Sequence, residues 1–205
     1  SNVQGDRTVG IWEAPSDAFL QSMELGLGFE LPKAHGYDVV ESIRAMEEEN
    51  VDVFVCMGGN FLSATPDTRR TAKALQNVGL TVQISTKLNR SHLITGHSAL
   101  ILPVLGRTEI DIQGSKRQFV TVENSMGVVH RSEGKLNPAS SSLMSEPSIV
   151  SELGYRLVPE NLPWRELSDN YDKIRTLMSN SLRGFDNYNQ RVRQENGFLL
   201  PNPPR

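Results

Sequence analysis

Val51-Asp52-Val53-Phe54-Val55-Cys56-Met57-Gly58-Gly59-Asn60 is the stretch of sequence that decides the fold. Up to Met57 it is apolar except for Asp52 and rich in β-branched side chains, a pattern that predicts a buried β-strand. The glycines that follow end the strand sharply, because glycine adopts the left-handed backbone conformation that a tight turn requires. A strand that ends in this way is typical of a sheet whose carboxyl edge carries a binding loop.

The flanking sequence alternates between predicted helices and strands. One helix is expected from Asp38, its N-cap, to Glu48, and another is expected to begin at Thr65-Pro66-Asp67, with Thr65 as the cap, and to run to about Asn77. Further strands are expected at Leu80–Ser85 and Ser98–Val104. The alternation predicts an α/β fold with a doubly wound, mainly parallel, Rossmann-like sheet in which these strands are neighbours.

The rest of the chain does not show this regular alternation of helices and strands. We expect a loop over residues 1–15, a helix from Ser16 to about Leu25, an irregular β-rich excursion after Thr108, and C-terminal helices at Glu146–Leu153 and Ser168–Leu182. The predicted organisation is therefore an α/β cofactor-binding core over residues 1–104, the β-rich excursion over 105–140, and a helical return with a linker over 141–205. The chain opens without methionine and closes on Pro201-Asn202-Pro203-Pro204-Arg205, which leads us to expect one piece of a larger polypeptide.

Composition limits the class of protein. The 205 residues are 38% hydrophobic and 22% charged, with a formal net charge of -3 and scattered basic residues. Nucleic-acid binding needs a concentrated positive patch, so we expect no nucleic-acid partner. There is no apolar run long enough for a membrane span and no signal-peptide pattern. A single cysteine cannot form an internal disulfide, so the expected compartment is the cytoplasm.

The loop after the first strand is the first candidate site. Gly58 and Gly59 allow a ligand to approach the backbone closely, and Asn60 and Ser63 offer polar side chains just before the next predicted helix. Open α/β sheets bind nucleotides at the carboxyl ends of their strands, with phosphate near a helix start. The segment matches neither a Walker P-loop nor a GxGxxG fingerprint. A nucleotide site and an ordinary strand–loop–helix turn therefore both remain open at this stage.

The loop after the second strand should open on the same edge of the sheet. This unit runs from Gln83 to His92, and its polar residues, among them Gln83, Ser85, Thr86 and Lys87, could contact a base or a phosphate. A solvated loop would have the same composition. Asn89-Arg90-Ser91 matches a glycosylation acceptor, but the expected cytoplasmic setting gives that match no meaning.

No catalytic residue and no metal ligand is predicted in this chain. The four histidines are dispersed along the sequence, and one cysteine cannot build a zinc or iron–sulfur site. Cys56 lies inside an apolar strand, where a buried structural thiol is the expected role.

Several segments together resemble a known family. They are Asn2-Val3-Gln4-Gly5 with Gly10, Met57-Gly58-Gly59-Asn60, Ala99-Leu100-Ile101-Leu102-Pro103 and Gly197-Phe198-Leu199-Leu200-Pro201. In this order they resemble landmarks of the molybdopterin oxidoreductases of the dimethyl sulfoxide reductase family. Phe61–Thr68, Ser85–His92 and Phe119–His130 are similar to the formate-dehydrogenase-like alpha subunits of that family in bacteria.

The resemblance implies an enzyme that carries molybdenum on a bis(molybdopterin guanine dinucleotide) cofactor. It implies that Gly58, Gly59, Asn60 and Ser63 contact the nucleotide part, and that Gln83, Ser85, Thr86 and Lys87 add further contacts. Where the family often has an acidic residue before the Val-x-Leu-Pro strand, this chain has Ala99, so no base contact is carried over there. The iron–sulfur ligands, where the family has them, and the side chain on molybdenum would lie upstream.

The partners implied are the rest of the same polypeptide, namely a second cofactor domain and a C-terminal barrel. The chain alone is then expected to be inactive. The alternative is a free-standing α/β module that binds a small nucleotide or sugar phosphate. A purely structural interaction domain is the third possibility, and it leaves the loop from Gly58 to Thr65 unexplained.

Overall fold

The computed structural model describes residues 3–201. Ser1, Asn2 and residues 202–205 lie outside the described residues, so the start of the Asn2–Gly5 segment and most of the predicted C-terminal linker are not covered. The described residues group into two compact units. Unit 1 comprises residues 36–104, and unit 2 comprises residues 3–35 together with 105–201.

The helices and strands alternate along unit 1 and are more mixed in unit 2. The helices are α1 (Val3–Thr8), α2 (Asp17–Leu27), α3 (Val39–Glu47), α4 (Phe61–Ala64), α5 (Thr68–Gln76), α6 (Glu146–Leu157), α7 (Trp164–Asp169), α8 (Tyr171–Ser181) and α9 (Tyr188–Arg191), with a 3₁₀ turn at Arg90–Leu93. The strands are β1 (Val53–Met57), β2 (Leu80–Ser85), β3 (Ser98–Pro103), β4 (Asp111–Gln113), β5 (Lys116–Gln118), β6 (Val120–Glu123), β7 (Val128–Ser132) and β8 (Phe198–Leu199).

Unit 1 is built on a parallel sheet of order β1-β2-β3, which confirms the predicted α/β class and the predicted neighbours. Val55 lies opposite Val82, and Val82 lies opposite Leu100, so the three strands run in close register. Helix α3 begins at a capping box in which the Asp38 side chain accepts from the Glu41 N–H and the Glu41 carboxylate accepts from the Asp38 N–H. The predicted N-cap is therefore confirmed.

The core of unit 1 lies on one face of this sheet. It is formed by Ile43 and Met46 from α3, Leu62 from α4, Ala74 and Leu75 from α5, and Val78. Phe54 packs against this cluster from β1, and its ring centroid lies 5.0 Å from that of Phe61. Helices α3 and α5 thus cover the face that carries Phe54.

The opposite face of the sheet is apolar and exposed. Side chains alternate along β1, so Val53, Val55 and Met57 point away from Phe54; they are 53%, 50% and 44% exposed, and Leu100 on β3 is 45% exposed. The expectation that residues 51–57 form a strand buried on both faces is therefore wrong. Instead, exposed and half-buried side chains alternate along β1, because the described helices of unit 1 pack on one face of the sheet only.

Unit 2 contains the antiparallel strands and the C-terminal helices. β4 pairs with β5, and β6, β7 and β8 form a second antiparallel sheet, in keeping with the predicted β-rich excursion. The core is an apolar cluster of Phe119, Val129, Leu182, Phe185, Tyr188, Val192, Phe198 and Leu200. The two expected helices occur as α6, which continues to Leu157, and α8, whereas α7 was not predicted as a separate helix.

Two expectations for the N-terminal segment need correction. Residues 1–15 do not form a loop throughout, because α1 occupies Val3–Thr8, where the Gln4 side chain donates to the Glu123 carboxylate at 3.2 Å. Helix α2 does not stop before Gly26 but continues to Leu27. A Cβ at Gly26 would lie 2.2 Å from the Ser181 hydroxyl, so this glycine allows α2 to approach α8 closely and does not end the helix.

Candidate functional site

The glycines after β1 form an open backbone turn. Gly58 and Gly59 have φ values of +69° and +68°, which L side chains rarely adopt, and the Gly58 N–H donates to the Ile84 carbonyl at 2.7 Å. Among the described residues, no heavy atom outside the turn lies within 4 Å of a Cβ built at either glycine. Glycine is therefore required here by the backbone conformation and not by a lack of space. The open space beside the two glycines would allow a ligand to approach the backbone closely.

Asn60 holds the short helix that follows the turn. Its Oδ1 accepts from the Ser63 N–H at 3.3 Å and from the Ser91 hydroxyl at 2.7 Å. Its Nδ2 makes no hydrogen bond to any residue in the described part of the chain. The side-chain oxygen of Asn60 therefore has a structural role, while its side-chain nitrogen is a donor that another molecule could use.

Ser91 joins the loop after β1 to the loop after β2. It is fully buried, and its Oγ accepts from the Leu62 N–H at 3.0 Å while donating to Asn60 Oδ1. Its carbonyl accepts from the Gln83 side-chain amide at 3.4 Å. The predicted neighbourhood of the two loops is thus present, and a buried hydroxyl makes the connection.

Asn89 adds a second connection between these loops. Its Nδ2 donates to the Gly59 carbonyl at 2.9 Å, and its Oδ1 accepts from the Ser91 N–H at 2.9 Å. The Asn89 N–H in turn donates to His92 Nδ1 at 3.0 Å. Because a backbone amide can only donate, Nδ1 must be the acceptor and Nε2 carries the proton in the neutral ring.

His92 leaves a buried donor without a partner. The residue is 8% exposed, and its Nε2 finds no hydrogen-bond acceptor among the described residues. Buried donors are normally satisfied by protein, water or ligand, because leaving one unpaired costs about 1–3 kcal/mol. The loop in which Asn89 bonds to Gly59 therefore also contains a buried ring nitrogen that makes no hydrogen bond within the described residues.

The residues predicted for the site fall into three groups. Gly59, Ser63, Thr86 and Lys87 are exposed; Gly58, Asn60 and Ser85 are half-buried; and Gln83 is buried. The structure brings Gly58–Ser63 together with Asn89 and Ser91, whereas the Ser85 hydroxyl donates within its own turn, to the Lys87 carbonyl at 2.8 Å. Asn89, Ser91 and His92 lie in the predicted second loop, which runs to His92, but the sequence prediction did not name them as contact residues.

The start of helix α5 differs from the prediction. Thr65 does not cap it, because its hydroxyl bonds to the Leu62 carbonyl at 3.2 Å and lies 2.7 Å from the Thr71 hydroxyl. The N-cap is Asp67, whose carboxylate accepts from the Arg70 N–H at 2.9 Å. Because the Asp67 carboxylate already occupies the N-terminus of α5, this helix end offers no phosphate site. A ligand would meet the glycine turn and the polar side chains instead.

Cys56 and the other metal-ligating side chains do not form a reactive centre. Burial raises the pKa of the Cys56 thiol, which lies 3.3 Å from the Gly58 carbonyl, so the thiol is a poor nucleophile at neutral pH. Across residues 3–201, no group of three or more His, Cys, Asp or Glu side chains is arranged to hold a metal ion. No helix of this described range is long and apolar enough to cross a membrane.

Comparison with known proteins gives relatives but no family model, since no protein-family model matches the chain. The chain is 50% identical, over an alignment of 207 residues covering 100% of it, to an uncharacterized oxidoreductase of Mycobacterium tuberculosis (strain ATCC 25618 / H37Rv). It is 45% identical, over 203 residues covering 98% of it, to the protein YdeP of Escherichia coli (strain K12). In each case the match covers 27% of the relative. The chain therefore spans about a quarter of the length of the curated relatives it matches, and some of these are named oxidoreductases.

Proposed function

We propose that this chain is a nucleotide-binding segment of a molybdenum oxidoreductase that resembles formate dehydrogenase. In this proposal it holds one molybdopterin guanine dinucleotide of a bis(molybdopterin guanine dinucleotide) cofactor. The observation that carries the proposal is the pair of strand-end loops, which are joined through Ser91 and Asn89 and offer an open glycine turn. The oxidoreductase names of full-length relatives support the reaction class.

The site fits the nucleotide part of such a cofactor. A guanine dinucleotide is rich in hydrogen-bond acceptors, and the loops offer the half-buried Asn60 Nδ2 and the exposed Lys87 ammonium as donors. Backbone at Gly58 and Gly59 is open to close approach by a flat or extended ligand. Donor-rich loops at the carboxyl edge of a parallel sheet are where open α/β folds bind nucleotides.

The residues of this chain bind and orient, while the cofactor supplies the redox chemistry when it is bound. Asn60 and Ser63 would contact the nucleotide directly, and Lys87 would balance phosphate charge. Gln83 and Ser85 act one step back: Gln83 is buried and supports the Ser91 backbone, and Ser85 shapes the turn that carries Lys87. The substrate and the residues at the reacting atoms would lie elsewhere in the full-length protein.

The test is the composition of the full-length protein purified from molybdenum-replete cells. The proposal expects molybdenum together with guanine nucleotide released on denaturation, in a ratio of two nucleotides per metal. Guanine or another small nucleotide without molybdenum would favour the alternative of a simple nucleotide-binding module. Protein that retains neither would contradict both.

Variants can separate the ligand role of Asn60 from its structural role. Asn60→Asp keeps the oxygen that accepts from the Ser63 N–H and the Ser91 hydroxyl but replaces the Nδ2 donor with a second oxygen, so it should lower nucleotide and molybdenum content while leaving the fold intact. Ser63→Ala removes an exposed hydroxyl and should act in the same direction. Lys73→Ala, on the exposed side of α5, is the matched control and should retain the wild-type content. Full retention in both loop variants would contradict the assignment of these residues.

A further inference from the structure

Unit 1 leaves most of one face of its parallel sheet exposed. The register places on that face Val53, Val55 and Met57 of β1, Leu80, Val82 and Ile84 of β2, and Ser98, Leu100 and Leu102 of β3. All except Ser98 are apolar; about half of the surface of Val53, Val55, Met57 and Leu100 is exposed, while Ile84 is buried. Parallel sheets are covered on both faces in folded proteins, and contiguous apolar patches mark interaction surfaces. This bare sheet face is therefore a surface that another part of the molecule should cover.

The path of the chain explains why one face is bare. The chain runs from β1 to β2 and from β2 to β3, so both steps move across the sheet in the same direction. Connections between parallel strands are right-handed in nearly all proteins, so connections that move in one direction all pass over the same face. A helix reaches the other face only where the chain crosses the sheet in the opposite direction. The remaining strands of the described chain pair in separate antiparallel sheets and do not supply that second crossing.

We propose that further strand–helix units of the same polypeptide extend this sheet in the full-length protein and place their helices on the bare sheet face. The relatives provide room for such units, because the chain spans only 27% of their length. A second copy of the chain is the less suitable occupant. Two such faces packed together would leave β1 and β3 as open edges, and neither of these strands has a second neighbour among the described residues. The proposal does not depend on the identity of the cofactor.

Photo-methionine cross-linking of the full-length protein tests this occupant. Met57 lies on the bare sheet face, so a diazirine-bearing methionine incorporated there during synthesis reports what covers the face without changing its shape. After irradiation, mass spectrometry should find Met57 joined to peptides outside residues 1–205 of the same chain. Met57→Leu, which preserves the apolar surface, should remove those cross-links and leave the others unchanged.

Met126 is the internal control, because it lies 70% exposed at the turn between β6 and β7 and should react mainly with water. A mixture of chains labelled with light and heavy nitrogen distinguishes the alternatives. Mixed-isotope pairs at Met57 would show a second copy on the face and would overturn the proposal. Cross-links confined to residues 1–205, or none at all from Met57, would overturn it as well.

Discussion

Replacing Ser91 by alanine tests whether one buried hydroxyl holds the two candidate loops together. The change removes the acceptor of the Leu62 N–H and the donor to Asn60 Oδ1 in a fully buried place. A buried amide left unpaired costs about 1–3 kcal/mol, and the lost bond to Asn60 adds about 1 kcal/mol. Local stability of the loop should therefore fall by about 2 kcal/mol or more, which corresponds to about thirtyfold faster opening.

Amide hydrogen exchange measures this local stability directly, since it reports the opening of short segments in the native protein. Peptides that cover residues 58–65 should exchange about thirtyfold faster in Ser91→Ala than in the wild type, while peptides from unit 2 keep their rates. Ser63→Ala is the matched control, because Ser63 is exposed and only its backbone amide bonds to Asn60; its exchange should change less than about twofold. A rate for Ser91→Ala within about threefold of the wild type would refute the reasoning.

Three further predictions concern unit 2 and the chain as a whole. Gly134→Ala should destabilise unit 2 by about 3 kcal/mol, since its Cβ would lie 1.8 Å from the Glu109 carbonyl oxygen. Gly106→Ala should cost less, because its Cβ would meet only the end of the Glu109 side chain, at 3.3 Å; equal urea midpoints of the two variants by tryptophan fluorescence would contradict this. Burial raises the pKa of Tyr171, and so does its hydrogen bond to Asp111. Unit 2 should therefore lose stability as the pH rises above about 10, the pKa of tyrosine in the unfolded chain, and Tyr171→Phe should make that loss less steep; identical profiles of stability against pH would count against this. The isolated chain should be inactive with formate and an artificial electron acceptor, and it should bind GDP only at about millimolar concentration. Turnover of formate by the chain alone would refute the expectation that it is inactive.

The parallel sheet could be predicted because its signals are local. The strands at Val51–Met57, Leu80–Ser85 and Ser98–Val104 differ from the observed ones by at most two residues at an end, and helix-length connections require them to be parallel. The cap at Asp38 could also be predicted, since a side chain that bonds to the third amide of its own helix makes a short-range interaction.

Other features depend on contacts that sequence patterns do not contain. An apolar strand has the same sequence whether both faces are covered or one is bare, so the exposure of Val55 could not be predicted. Thr65 and Asp67 are both good capping residues, and the choice between them depends on the bonds that the Thr65 hydroxyl makes to Leu62 and Thr71. Helix α1 is short and contains a glycine, and it is supported by a hydrogen bond to a residue over a hundred positions away.

The candidate site was predictable in position but not in detail. The strand-end rule located both loops, because the carboxyl ends of parallel strands meet at one edge of the sheet. It could not show that Asn60 uses its oxygen for the fold, or that Ser91 and Asn89 connect the loops. Those roles arise from side-chain geometry across 30 or 31 positions of sequence, which the polar composition of the second loop does not contain.

The bare sheet face and the candidate site meet at one point of the backbone. Met57 belongs to the exposed face, and the next residue, Gly58, begins the open turn. Whatever covers the face near Met57 must therefore border the turn and can exclude water from it. A hydrogen bond from the half-buried Asn60 side chain to a ligand would be stronger in such a drier setting, since electrostatic interactions increase as water is removed. The weak nucleotide binding expected of the isolated chain follows from this, because without its cover the chain presents this donor to water as well as to the ligand.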